Sequence, residues 1–149
     1  MNIAVGSDHR GFSVKQRLTA TLAKMGHEVH DLGIATGEEA ADYPDFAIPV
    51  AEQVAKGEAD RGILVCGTGF GMCIAANKVH GVRAVTCRDS IEAEMSRRHN
   101  NANVLCMSAD FLGQELIDRM VQVWLNTDFE GGRHQRRVDK ISKFEDGAK

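Results

Sequence analysis

The sequence predicts an α/β fold, with five parallel strands in one sheet, helices on both faces and an extra helix near the C-terminus. Three observations lead there. Short apolar runs alternate five times with segments whose apolar residues recur at helical spacing. The run Gly62-Ile63-Leu64-Val65-Cys66 is uninterrupted, as expected of a strand buried on both faces. Polar or glycine-rich loops follow the strands directly, where sheets of this kind bind ligands.

The elements follow in order. Asn2 to Gly6 is the first strand, and Ser7-Asp8-His9-Arg10-Gly11 is a polar loop after it. Phe12, Lys15, Leu18, Leu22 and Met25 lie on one helical face, and Gly26 ends that helix. Glu28 to Leu32 is a second strand, and residues 33–42 form a loop. Tyr43-Pro44-Asp45 opens a helix to about Lys56, with proline in the first turn. Arg61 to Cys66 is strand three, followed by a glycine loop and a helix to Lys78. Arg83 to Cys87 is strand four, and Asp89 or Ser90 caps the next helix. Asn103 to Met107 is strand five, and Gly113 to Leu125 is a helix. Glu130-Gly131-Gly132 breaks the chain, Arg133 to Phe144 is a last basic helix, and Glu145 to Lys149 is a frayed tail. No repeat or linker divides residues 1–149, so a single domain is expected.

Composition narrows the function. Of 149 residues, 43% are hydrophobic and 26% charged, which suits one soluble domain with a sizeable core. A net charge of −3 argues against a general nucleic-acid binder. There is no run of transmembrane length and no signal pattern, so no membrane partner is expected. Cys66, Cys73, Cys87 and Cys106 form no C-x-x-C pair or common zinc spacing. Their apolar settings point to reduced thiols in a cytoplasm.

The candidate reacting centre is Cys66-Gly67-Thr68-Gly69-Phe70-Gly71. Glycines after a buried strand let the backbone turn sharply and approach a ligand. Main-chain N–H groups converging at a helix start favour negative charge there, and the thiolate is the reactive form of a cysteine. The competing reading is a buried strand-end cysteine acting as a small apolar side chain. Two other loop chemistries fail. Met72 and Ile74 stand where a dinucleotide fingerprint needs its third small residue, and no Gly-Lys-Ser/Thr follows. A Cys-x5-Arg phosphatase loop fails because Met72 replaces the arginine.

Three further clusters could carry chemistry, each with a plainer alternative. Asp8-His9 is either a carboxylate and imidazole for a polar ligand, or a capping aspartate beside an exposed histidine. His99-Asn100-Asn101 is either a polar functional cluster or a helix end with turn asparagines. It precedes strand five, so topology alone does not bring it to the ligand face. Arg133 and Arg137, four apart on a basic helix, either grip one phosphate or face solvent. His27, His30 and His80 lack the spacing of a metal site.

The ordered set of motifs resembles ribose-5-phosphate isomerase of type B, in the group shared with allose- and galactose-6-phosphate isomerases. It consists of Ser7-Asp8-His9-Arg10-Gly11-Phe12, Asp42-Tyr43-Pro44-Asp45, Cys66 to Gly71, Ala75-Ala76-Asn77-Lys78, Arg97-Arg98-His99-Asn100, Asn103-Val104-Leu105 and Glu130 to Val138. The resemblance implies a three-layer α/β/α sandwich with a Rossmann-like sheet, and a homodimer, or a tetramer, with sites shared between subunits. It implies no metal or other cofactor. The reaction implied is the interconversion of ribose 5-phosphate and ribulose 5-phosphate, or the same isomerisation of erythrulose 4-phosphate, allose 6-phosphate or galactose 6-phosphate. In that reading Cys66 moves the proton between C2 and C1, assisted by Thr68, and His99 opens the sugar ring. Gly67, Gly69, Phe70 and Gly71 line the enediolate, with Asn100 beside it. Asp8 binds hydroxyls, Tyr43 contacts substrate, and His9, Arg133 and Arg137 hold the phosphate. A non-catalytic sugar-phosphate module would lack the base or the ring-opening acid, and both are present. One segment departs. Where the family usually has Gly-Ser-Arg with a phosphate-binding arginine, this chain has Ser108-Ala109-Asp110. Asp110 is therefore expected to repel a phosphate placed as in the family, or to turn away and pair with a basic side chain.

Overall fold

The computed structural model describes residues 1–147. Five strands form one parallel sheet in the order β2-β1-β3-β5-β4. They are β1 (Asn2–Ser7), β2 (Glu28–Asp31), β3 (Arg61–Cys66), β4 (Ala84–Thr86) and β5 (Val104–Ser108). The helices are α1 (Phe12–Lys24), α2 (Pro44–Ala55), α3 (Phe70–Ala76), α4 (Ser90–Asn100), α5 (Gln114–Asn126) and α6 (Arg133–Gly147).

Alternation along the strands divides the core in two. Ile3, Val5, Ile63, Val65, Leu105 and Met107 point to the face covered by α1, α4 and α5, where Leu18, Ala93, Met120 and Trp124 meet them. Ala4, Leu64, Cys66, Val104 and Cys106 point to the other face, against Val50 and Ala51 of α2 and Met72 of α3. Central strands buried on both sides have no polar face, which is why their runs are continuously apolar.

Local chemistry fixes the ends. Gly26 has φ +84°, the left-handed conformation that closes α1. Asp89 caps α4 by accepting from the amides of Ile91 and Glu92 at 2.8 Å each.

Most expected boundaries hold to within a residue, and three depart for a visible reason. Helix α3 stops at Ala76 rather than Lys78, because the Asn77 side chain donates to the Ala84 carbonyl and accepts from the Ala84 amide, both at 2.9 Å. That amide completes the outer edge of β4. β4 itself is shorter than expected, since the Arg83 amide donates to the Asn103 side chain at 2.7 Å instead of to a strand. The expected frayed tail is helical as far as Gly147. Glu145 accepts from the Gly81 amide at 3.1 Å, and Asp146 meets His80 Nε2 at 2.8 Å. Ala148 and Lys149, the rest of that tail, lie outside the described residues.

Candidate active site

In a parallel sheet all carboxyl ends fall on one rim. Ser7 pairs with Val65, and Cys66 with Ser108, so the loops after β1, β3 and β5 are neighbours there. The strand order places β1 and β3 side by side, at the point where winding reverses.

Cys66 closes β3 and is 5% exposed. Its Sγ receives the Gly69 amide at 3.1 Å. Gly69 has φ +80°, and a Cβ there would meet the Met107 carbonyl carbon at 3.1 Å, so only glycine turns the chain under the sulfur without strain. Thr68 Oγ1 accepts the Phe70 amide at 3.3 Å, which leaves its hydroxyl proton free to donate. The amides of Gly71 and Met72 lie in the first turn of α3, ahead of any intrahelical acceptor.

The other rim residues converge on this loop. Asp8 is 6% exposed, and its Oδ1 accepts the amides of Arg10 at 3.0 Å and Gly11 at 3.1 Å. It thus closes a turn inside the loop and does not cap α1, whose N-cap is Gly11, while Oδ2 has no protein hydrogen bond among the described residues. His9 Nδ1 accepts the Ala41 amide at 3.2 Å, which puts the ring proton on Nε2. Tyr43 lies over Gly71, where a Cβ would stand 2.7 Å from the Tyr43 ring. Sequence reasoning missed Arg10. Its Nε and one terminal nitrogen donate to Asp110 Oδ2 at 3.1 and 2.7 Å, so Asp110 is paired with a basic side chain. The only local signal was a charge inside a loop already of interest.

The remaining candidates lie at the opposite end of the sheet. Helix α4 starts beyond the carboxyl end of β4 and runs back over 11 residues, about 16 Å, to His99 and Asn100. Gly62 to Cys66 alone spans about 13 Å along β3, and Val104, which follows the His99 segment, pairs with Gly62. His99 stacks on His134 of α6, with ring centroids 4.2 Å apart and planes within 6°. Arg133 and Arg137 are exposed on the same helix. One chain therefore holds two groups of candidates: Asp8, His9, Tyr43 and Cys66 to Gly71 at one rim, and His99, Asn100, Arg133 and Arg137 at the other.

Electrostatics separates the groups further. His134 is held below its ordinary range, first by burial and then by His99 and Arg133. Glu130 is lowered by its hydrogen bond from Arg98, whose Nε lies 2.6 Å away. His99, Glu130 and His134 place ligand atoms within 4.8 Å of one another, a spacing a metal ion could bridge. The Arg98 guanidinium already occupies the carboxylate of that set. Among the thiols, burial pushes Cys87 up to about 12. Cys73 is drawn down to about 6, first by its hydrogen bond with Cys106, yet its Sγ faces the Ala84 carbonyl of β4 and not the rim. Cys66 is the thiol built into the glycine loop.

Comparison with known proteins gives a consistent picture. A family model described as Ribose/Galactose Isomerase matches residues 3–141. The chain is 48% identical over 143 residues to ribose-5-phosphate isomerase B of Escherichia coli (strain K12), covering 96% of this chain and 95% of that protein. It is 40% identical over 145 residues to D-erythrulose-4-phosphate isomerase of Pectobacterium atrosepticum, covering 97% and 95%. A solved structure of ribose-5-phosphate isomerase B from Mycoplasma genitalium with bound ribulose-5-phosphate is 45% identical, with a TM-score of 0.94 over 97% of this chain and 96% of that one.

Proposed function

The chain belongs to the ribose/galactose isomerase family and is an aldose–ketose isomerase, and we propose that it interconverts ribose 5-phosphate and ribulose 5-phosphate with Cys66 as the base. The observation that carries the assignment of the base is the Cys66 thiol beneath the glycine loop, with the Gly69 amide on its sulfur at 3.1 Å. Isomerisation requires a group that takes a proton from C2 and returns it to C1, while charge develops on the neighbouring oxygens. Cys66 takes the proton. The amides of Gly71 and Met72 at the start of α3 face the developing enediolate, where fixed donors act most strongly, while those of Gly69 and Phe70 are held by Cys66 Sγ and Thr68 Oγ1. Thr68 donates its free hydroxyl proton to the same oxygens. Asp8 Oδ2 accepts from a sugar hydroxyl, and His9 donates from Nε2 to the phosphate.

The ring-opening acid comes from a second copy. His99 lies at the far end of its own sheet from Cys66, so a homodimer brings His99 of the partner subunit, with its Asn100, Arg133 and Arg137, to the Cys66 rim. Exposed Ile141 and Phe144 support such an association. With Val82, Ala84 and Val85 they line a groove of about 640 Å³ near the outer edge of β4, away from Cys66.

Two measurements test this reading. The first is isomerase activity on four-, five- and six-carbon sugar phosphates with metal-free protein. Turnover should be best on ribose 5-phosphate, and preference for the four-carbon ketose would move the substrate toward that of the Pectobacterium relative. The second mixes inactive Cys66→Ala and His99→Ala subunits. Random exchange into dimers should restore about a quarter of the wild-type sites, because half the dimers then hold one intact site. Failure to recover any activity after proven exchange would place both residues in one chain's site.

A further inference from the structure

Resting on the proposed isomerase reading, we infer that Arg10 binds the phosphate of the substrate and that Asp110 is the residue that positions it. Arg10 leaves the loop after β1 and crosses to the loop after β5, a hundred residues later. Its guanidinium lies against Gly67, next to Cys66. A Cβ on Gly67 would stand 2.8 Å from Arg10 Nε and 2.9 Å from Asp110 Oδ2. The glycine thus clears room for an ion pair beside Cys66.

Both ends of this pair are anchored. The Arg10 amide is held by Asp8 Oδ1 at 3.0 Å. The Asp110 amide donates to the Gly67 carbonyl at 3.1 Å, and Ser108 Oγ donates to the same carbonyl at 2.6 Å. Asp110 takes two of the five guanidinium N–H donors on one oxygen. Three donors remain without a protein partner among the described residues, on a side chain 57% exposed. A planar, permanently charged group with spare donors matches a phosphate better than a single hydroxyl. His9 stands one residue away with Nε2 available. The carboxylate expected to repel a phosphate is instead neutralised, and it aims a cation at the place where that phosphate arrives.

The test uses the full-length protein and four forms: wild type, Arg10→Ala, Arg10→Lys and the double variant Arg10→Ala/Asp110→Ala. Arg10→Ala should raise KM for ribose 5-phosphate about 10- to 100-fold, as loss of a charged hydrogen bond does, with kcat changed far less. Inorganic phosphate, titrated calorimetrically, should weaken in parallel, and Arg10→Lys should recover part of both. The double variant separates binding from simple repulsion by an unpaired Asp110. If its KM and phosphate affinity stay impaired, the guanidinium itself binds. If both return to wild-type values, or if Arg10→Ala leaves them unchanged, the pair only joins two loops and the inference is overturned. Phosphate titration needs no turnover, so it judges Arg10 even if wild type fails to isomerise ribose 5-phosphate and the functional reading falls.

Discussion

The imidazoles of His99 and His134 are stacked 4.2 Å apart and nearly parallel, one at the end of α4 and the other at the start of α6. Two positive charges in that arrangement would repel, and His134 is only 5% exposed. Arg133 and Arg137 add positive charge around it, and Glu130 opposes them.

Stability should therefore fall in mild acid. His134 holds its proton less readily when folded than its ordinary value of 6.5. Between the folded value and 6.5 the unfolded chain binds more protons, so stability rises with pH. The contribution is complete above about 6.5 and is lost as pH falls below it. Urea midpoints between pH 7.5 and 5.5 should decline more steeply for wild type than for His134→Asn. Parallel declines would remove His134 as the cause.

Cys66→Ala should keep the fold and lose proton transfer. A positioned base contributes about 10²- to 10⁴-fold in rate. Exchange of the substrate C2 proton in deuterated water measures the step directly. Full exchange by the variant would identify another base.

His99→Ala should discriminate between substrates. Ribose 5-phosphate closes into a furanose ring and needs an acid to open it, whereas a four-carbon ketose phosphate does not. Activity should drop on the first and largely survive on the second. Equal losses would make His99 a structural or binding residue instead.

Gly69→Ala should damage both stability and rate. The residue sits at φ +80° against the backbone of Met107, so the new methyl is strained and obstructed. Strain of this kind costs about 1–3 kcal/mol, readable from a denaturant midpoint. The amide on Cys66 would shift with it, and kcat should fall. An unaltered kcat would show that this hydrogen bond does not serve the base.

Much of this was legible in the chain itself. Continuous apolar runs revealed the strands, Gly26 and Asp89 marked helix ends, and the glycines after Cys66 pointed to the rim on which Asp8, Tyr43 and Arg10 also stand. What escaped local reading depends on partners distant in sequence. Arg10 looked like one more polar loop residue because Asp110 lies a hundred positions away. Glu145 and Asp146 looked like a charged tail because Gly81 and His80 hold them from the far side of β4. The resemblance named His99 as the acid, but its end of the sheet emerged only once α4 was seen to run back from the rim.

Helix α6 is fastened to its own chain at both ends, by His134 against His99 and by Glu145 and Asp146 at residues 80–81. Exchanging it with a second copy would break both fastenings. Association then means docking of two finished surfaces, and mass action governs the outcome. With the site shared between subunits as proposed, each chain should keep its circular dichroism on dilution while turnover per chain falls, since a lone subunit would carry only half of each site.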